Sequence, residues 1–134
     1  IVFGDWSSDV CSSDLGEKAK GDAVAAKLKP VFSLVTVKVE NERDVGGAKV
    51  RVADKFRNPL GLKTMMQGLG MPSGPCRRPL GKMTANGVTI VRDALRKIWT
   101  ESPDLLTPVA DFYGVDVAER IEDDAVWDRL ARHK

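Results

Sequence analysis

From residue 58 onward the apolar side chains recur at helical spacing. Leu62, Met65, Met66 and Leu69 fall at i, i+3, i+4 and i+7, one face of a helix. Asn58 reads as its N-cap and Pro59 as its first helical residue, where a missing N–H costs nothing. Gly70 reads as the C-cap, and Pro72 prevents continuation. Residues 71–81 form an extended connector punctuated by Pro72, Pro75 and Pro79. Thr84 then caps a longer helix whose buried stripe is Val88, Val91, Leu95 and Ile98, with Arg92, Asp93, Arg96 and Lys97 facing water. Ser102-Pro103 ends it, or starts a new helix with Ser102 as cap. The tail divides into short helical pieces over 103–113, 117–122 and 124–132, anchored by Phe112, Val115, Ile121, Trp127 and Leu130.

The pattern before residue 58 is less decisive. Residues 18–29 are rich in Ala and Lys, good helix formers, and Pro30 breaks or kinks what they form. Beyond it, residues 31–35 are apolar on several faces, as in a resumed buried helix. Yet Val35-Thr36-Val37-Lys38-Val39 alternates as a strand does, and Lys49-Val50-Arg51-Val52 could pair with it across Gly46-Gly47. Periodicity alone leaves both readings open.

Composition alters the picture mainly at the N-terminus. The run Asp5-Trp6-Ser7-Ser8-Asp9-Val10-Cys11-Ser12-Ser13-Asp14-Leu15 back-translates into one frame of a common short-read sequencing adapter. Residues 1–15 are therefore read as non-native and left out of fold reasoning. The expectation is that the reading frame enters a real gene at about Gly16 and that 16–134 is the C-terminal piece of a longer protein. Leaving out Asp5, Asp9 and Asp14 leaves 21 basic against 16 acidic residues, a mild excess typical of a solvated mixed-charge surface. It also leaves Cys76 as the one native cysteine, which cannot form an internal disulfide and points to a reducing, cytoplasmic setting. No apolar run approaches the roughly 20 residues a membrane helix needs.

The stretch Asn58-Pro59-Leu60-Gly61-Leu62-Lys63-Thr64, followed by Gly68-Leu69-Gly70-Met71-Pro72-Ser73-Gly74-Pro75-Cys76-Arg77-Arg78-Pro79-Leu80, resembles the C-terminal region of the dihydrodipicolinate synthase / N-acetylneuraminate lyase family. In that family a helix entered at Asn-Pro carries a lysine and ends in a short Leu-Gly segment. An Arg-x-Pro-Leu connector then leads to a last amphipathic helix, as Arg78-Pro79-Leu80 leads to residues 84–100 here. A lysine- and alanine-rich first helix with an interior proline also matches residues 18–34. The resemblance covers about 16–100. It implies a (β/α)8 barrel upstream of a small helical domain, and condensation or cleavage of 2-oxo acids through a Schiff base on a barrel lysine assisted by a tyrosine. It also implies helix for 31–37, which is adopted over the hairpin. Residues 40–54 read as an insertion relative to the family pattern, and 101–134 as an extended tail.

None of the family's catalytic motifs has a counterpart here, so no catalytic, cofactor-binding or metal-ligating residue is assigned, and no cofactor. Lys63 reads as a surface lysine. Gly68, Gly70 and Gly74 read as cap and turn glycines, because no strand precedes them as a phosphate loop requires. Arg77, Arg78 and Lys82 make a short basic patch lacking the interleaved aromatics of a nucleic-acid surface. Cys76 sits between prolines beside arginines that could lower its pKa, but no other Cys or suitable His accompanies it, and it reads as a structural thiol. His133 is alone. Asp111, Asp116 and the run Glu122-Asp123-Asp124 read as caps and solvated faces.

Together these readings predict an all-α domain: a kinked helix, two amphipathic helices and a helical tail. The expected function is that of the C-terminal fragment of a Schiff-base lyase or aldolase acting on pyruvate-type 2-oxo acids, inactive without its barrel. Its expected partners are that missing barrel and further copies of the parent, with neither nucleic acid nor membrane. The competing reading is a stand-alone helical module whose connector, residues 77–82, contacts an acidic partner or nucleic acid. The apolar faces of Leu62/Met66 and Val88/Leu95 are expected to lie partly uncovered.

Overall fold

A computed structural model of the chain describes residues 18–132. The adapter-like residues 1–15 and His133 lie outside the described residues. The chain begins with two helical segments, α1 (Lys18–Lys27) and α2 (Lys29–Ser33), followed by strands β1 (Thr36–Val45) and β2 (Ala48–Arg57). Helices α3 (Leu60–Gly68) and α4 (Ala85–Glu101) come next, separated by the connector. A 3₁₀ turn at Pro103–Leu105 leads into α5 (Thr107–Tyr113), α6 (Val117–Glu122) and α7 (Asp124–Leu130).

The fold is mixed, 56% helical with a two-stranded antiparallel sheet, and this corrects the all-α expectation. Residues 31–37 are not one helix. α2 ends at Ser33, and Thr36 already pairs with Arg57. The alternation rejected in favour of the family pattern is what folds. Val37, Val39 and Phe56 turn inward, while Lys38, Lys55 and Arg57 turn outward. The β-branched side chains of Thr36, Val37, Val39, Val50 and Val52 suit a pleated surface better than a helix. Gly46 and Gly47, with φ of 62° and 87°, form the two-residue loop. Positive φ at both positions gives the turn twist that matches paired strands. The Asp44 side chain accepts from the Gly47 N–H at 2.8 Å and fixes the turn.

α4 is the central element, touching α2, β1, α3, α6, α7 and the 3₁₀ turn. Its predicted stripe of Val88, Val91, Leu95 and Ile98 is fully buried, so the expected uncovered face at Val88/Leu95 does not exist. Around it pack Leu34, Val37, Leu60, Leu69, Met83, Leu106, Val117, Ile121, Val126 and Trp127. Thr84 caps the helix as expected, accepting from the Gly87 N–H at 3.4 Å.

α3 departs from its reading in two ways. Asn58 makes no cap, and Pro59 occupies the cap position with no side-chain hydrogen bond. Its most buried side is Leu60, Gly61, Thr64, Gly68 and Leu69, while Leu62, Met65 and Met66 are half-buried. Small residues win that face because the neighbours come very close. A Cβ at Gly61 would overlap the Leu34 carbonyl, and one at Gly68 would overlap the Trp127 ring. The helix closes with Gly70 N–H to Gln67 O at 3.1 Å and Met71 N–H to Met66 O at 2.9 Å, the paired bonds of a glycine-terminated helix.

In the tail, α5, α6 and α7 match the expected segments to within a few residues. Ile121 and Trp127 are buried anchors, and Val115 and Leu130 pack on the core. Phe112 is not an anchor. It is 81% exposed, because α5 turns its Val109/Ala110 side inward.

Candidate functional site

The residues singled out from the sequence gather around the connector, but not as a reactive constellation. Lys63, Thr64, Gln67, Pro75, Cys76 and Lys82 line a small cavity between α3 and the connector, closed by Leu60 and Leu130. It encloses about 20 Å³, room for one water and not for a 2-oxo acid. Within it Thr64 donates to the Leu60 carbonyl at 2.8 Å, a bond internal to the helix. The Lys63 carbonyl accepts from Gln67 at 3.3 Å and from Ser73 at 3.5 Å, so this part of α3 holds the connector in place. Gln67 also donates to the Gly74 carbonyl at 2.9 Å.

The basic patch is divided. Lys82 donates to the Arg129 carbonyl at 2.6 Å, tying the connector to α7. Arg77 and Arg78 stay exposed. Cys76 is a free thiol, half-buried. Asp111 is exposed at the end of α5, and Asp116 caps α6, accepting from Glu119 N–H at 2.9 Å. Asp123 caps α7 through the Ala125 N–H at 2.8 Å. Among the described residues no group of three or more His, Cys, Asp and Glu is placed to hold a metal ion.

What sequence reading missed is a set of long-range arginine and asparagine contacts that fix the architecture. Arg92, expected in water, has a side chain only 12% exposed. Its guanidinium donates to the Ile121 carbonyl at 2.7 Å, the Glu122 carbonyl at 2.7 Å and the Asp124 carboxylate at 2.6 Å. It thereby satisfies carbonyls at the end of α6 that have no helical partner. Arg120 does the same for α3, donating to Gly68 O at 2.9 Å and Gln67 O at 3.1 Å. Planar, multiply donating guanidinium suits this task better than an ammonium would.

Arg96 grips both oxygens of Glu122, at 3.0 and 2.6 Å. This charge-assisted hydrogen bond holds the Glu122 carboxyl below its ordinary value and raises the Arg96 guanidinium above its own. Asp124 is likewise lowered, by its hydrogen bond to Arg92.

A third cluster joins the hairpin to α4. Asn41 donates to Asp54 at 2.7 Å and to the Thr84 hydroxyl at 3.2 Å. Asn86 donates to the Asn41 side-chain Oδ1 at 3.1 Å, and Arg43 pairs with Asp54. Asn41 thus speaks to both strands and to the helix cap. No signal local to any of these residues marks such pairings, since each spans many residues of chain. Their chemistry is cohesion between elements: donors on one element closing the open ends of another.

No family model matches this chain, and neither do the curated proteins or the solved structures with which it was compared. Among the described residues no helix is long and apolar enough to cross a membrane.

Proposed function

We propose that this chain is the C-terminal region of a Schiff-base-forming lyase or aldolase of the dihydrodipicolinate synthase / N-acetylneuraminate lyase type, acting on pyruvate-like 2-oxo acids. The observation that carries the reading is the ordered run from Asn58-Pro59 through Gly70 to Arg78-Pro79-Leu80 and Thr84. Its supporting context is a short helix, an ordered proline-rich connector and a capped amphipathic helix in that order. In this reading the domain has a supporting role. The iminium-forming lysine and its tyrosine reside on barrel strands of the parent, where the amine acts as an electron sink for carbon–carbon chemistry. The parent is a cytoplasmic homo-oligomer, and the free Cys76 thiol suits a reducing compartment.

The test begins with the source DNA. Long reads across the Leu15/Gly16 junction should replace the adapter-like codons with a frame running into a barrel that bears a strand-borne lysine and tyrosine. The extended protein, treated with pyruvate and borohydride, should gain a covalent adduct on that upstream lysine. The 134-residue chain should gain none. Trapping on Lys63, or a start codon at Gly16, overturns the reading. A start codon there would favour the module reading, which draws on the exposed Arg77 and Arg78 and predicts polyanion binding lost in R77A/R78A.

A further inference from the structure

An open cleft of about 420 Å³ lies where the end of α3, the connector and α7 meet, a volume that holds a small molecule. Three cations from three parts of the chain line it: Lys82 at the end of the connector, Arg120 on α6 and Arg129 on α7. Met71, Pro75 and Leu130 supply apolar wall beside them. Among the described residues no Asp or Glu lines the cleft. One sign of charge set on apolar walls draws an ion of the opposite sign.

Backbone, not carboxylate, holds each cation in place. Arg120 donates through Nε to the Gly68 carbonyl and through Nη2 to the Gln67 carbonyl. Lys82 donates to the Arg129 carbonyl, and Arg129 donates through Nε to the Ala125 carbonyl at 3.1 Å. Among the described residues no carboxylate lies within ion-pair distance of any of the three. Arg92 and Arg96 on α4, by contrast, both meet acids. The end of a helix carries only about half a negative charge, so these carbonyls orient the cations without neutralising them. Donors are left over as well. Arg129 spends its Nε–H alone, and Nη1 of Arg120 has no partner among the described residues.

We propose that this cleft binds a small organic phosphate, its phosphoryl group on Lys82, Arg120 and Arg129 and its apolar part against Met71, Pro75 and Leu130. A phosphate monoester carries close to two negative charges at neutral pH and three strong acceptor oxygens. That matches three cations better than a single carboxylate, which would leave most of the charge uncompensated. The planar fork of a guanidinium fits two phosphoryl oxygens at once, and the carbonyls that hold Arg120 and Lys82 settle their placement before any ligand arrives. The proposal is independent of the lyase reading, whose chemistry resides on the barrel, and of the polyanion surface at Arg77 and Arg78.

Titration of phenyl phosphate into the nitrogen-15-labelled 134-residue chain, in phosphate-free buffer of low ionic strength, tests it. The amides of Met71, Lys82, Arg120 and Leu130 should shift together and saturate. Inorganic phosphate should bind about tenfold more weakly, having nothing to lay on the apolar wall, and benzoate likewise, having one charge. R129Q and K82Q should each weaken phenyl phosphate about tenfold, since each removes a charged donor. Both side chains are exposed, so the amide spectrum of α4 should stay that of the parent chain and separate lost binding from lost folding. R77A/R78A should bind as the parent does. Absence of saturable shifts, shifts confined to Arg77 and Arg78, or R129Q and K82Q that bind as tightly as the parent overturns the proposal. So does equal affinity for inorganic phosphate, which would reduce the cleft to a bare charge contact.

Discussion

The six-membered ring of Trp127 lies directly on the backbone of Gly68, at a point where any Cβ would overlap the indole. The indole N–H donates to the Arg120 and Ile121 carbonyls at 2.9 and 3.1 Å, and Arg120 in turn caps the helix that carries Gly68. Tail and body are thus keyed together through one small residue.

Replacing that residue tests the key. By helix propensity alone Gly68→Ala should stabilise, since glycine costs up to about 1 kcal/mol within a helix. The contact with Trp127 reverses the sign. G68A should lose about 1–3 kcal/mol, the usual range for overpacking, measured by urea unfolding. A variant as stable as the parent would mean that Trp127 is not seated there.

Arg92 and Asp124 should differ sharply although they form one pair. Arg92 is nearly buried and serves two carbonyls, whereas the Asp124 side chain is 91% exposed. R92A should cost about 1–2 kcal/mol, because two charge-assisted bonds to carbonyls are lost although Trp127 still serves the Ile121 carbonyl. D124N should cost clearly less, within about 1 kcal/mol for so exposed a pair. Equal losses for both would show that the ion pair, and not the carbonyl capping, is what matters.

Acid should loosen the tail. Glu122 and Asp124 lie below their ordinary values of 4.5 and 3.8, held there by Arg96 and Arg92 respectively. A carboxyl lowered in the folded state stabilises fully above its unfolded value and loses that contribution as pH falls through the lowered one. The melting temperature should therefore hold steady above about pH 5 and fall below about pH 4, with a weaker fall in E122Q/D124N or in high salt. An identical acid limb in the double variant would place the sensitive groups elsewhere.

The hairpin should yield at its turn without dragging the helices along. Gly47 has φ of 87°, which a β-branched residue resists. Gly47→Val should speed amide exchange across residues 42–51, while amides around Val91 and Leu95 in α4 keep their protection. Uniform loss of protection would mean that the hairpin folds as one unit with the core.

The sequence disclosed most about α4 and the tail. Thr84, the Val88–Ile98 stripe and the aspartate caps at 116 and 123 are local signals, and local chemistry decides them. The hairpin was equally visible in Gly46-Gly47 and its flanking alternation, but a pattern borrowed from a family outweighed it. Asn58 misled because Asn-Pro serves a turn as readily as a cap. Phe112 misled because a seven-residue helix buries one side only, and hydrophobicity does not say which. Arg92 and Arg120 were beyond reach, since their acceptors lie 29 to 53 residues away.

Those separations bear on the order in which the molecule assembles. The hairpin closes a two-residue loop, whereas Lys82 meets Arg129 across 47 residues and Arg120 meets Gly68 across 52. Loop-closure entropy grows with each such span, by about 0.6 kcal/mol per doubling, and is offset only once the tail has docked. By span the hairpin closes early, and the Lys82–Arg129 and Arg120–Gly68 contacts close late. Changes at Trp127 or Arg120 should then act mainly on the unfolding rate and leave the folding rate close to that of the parent chain.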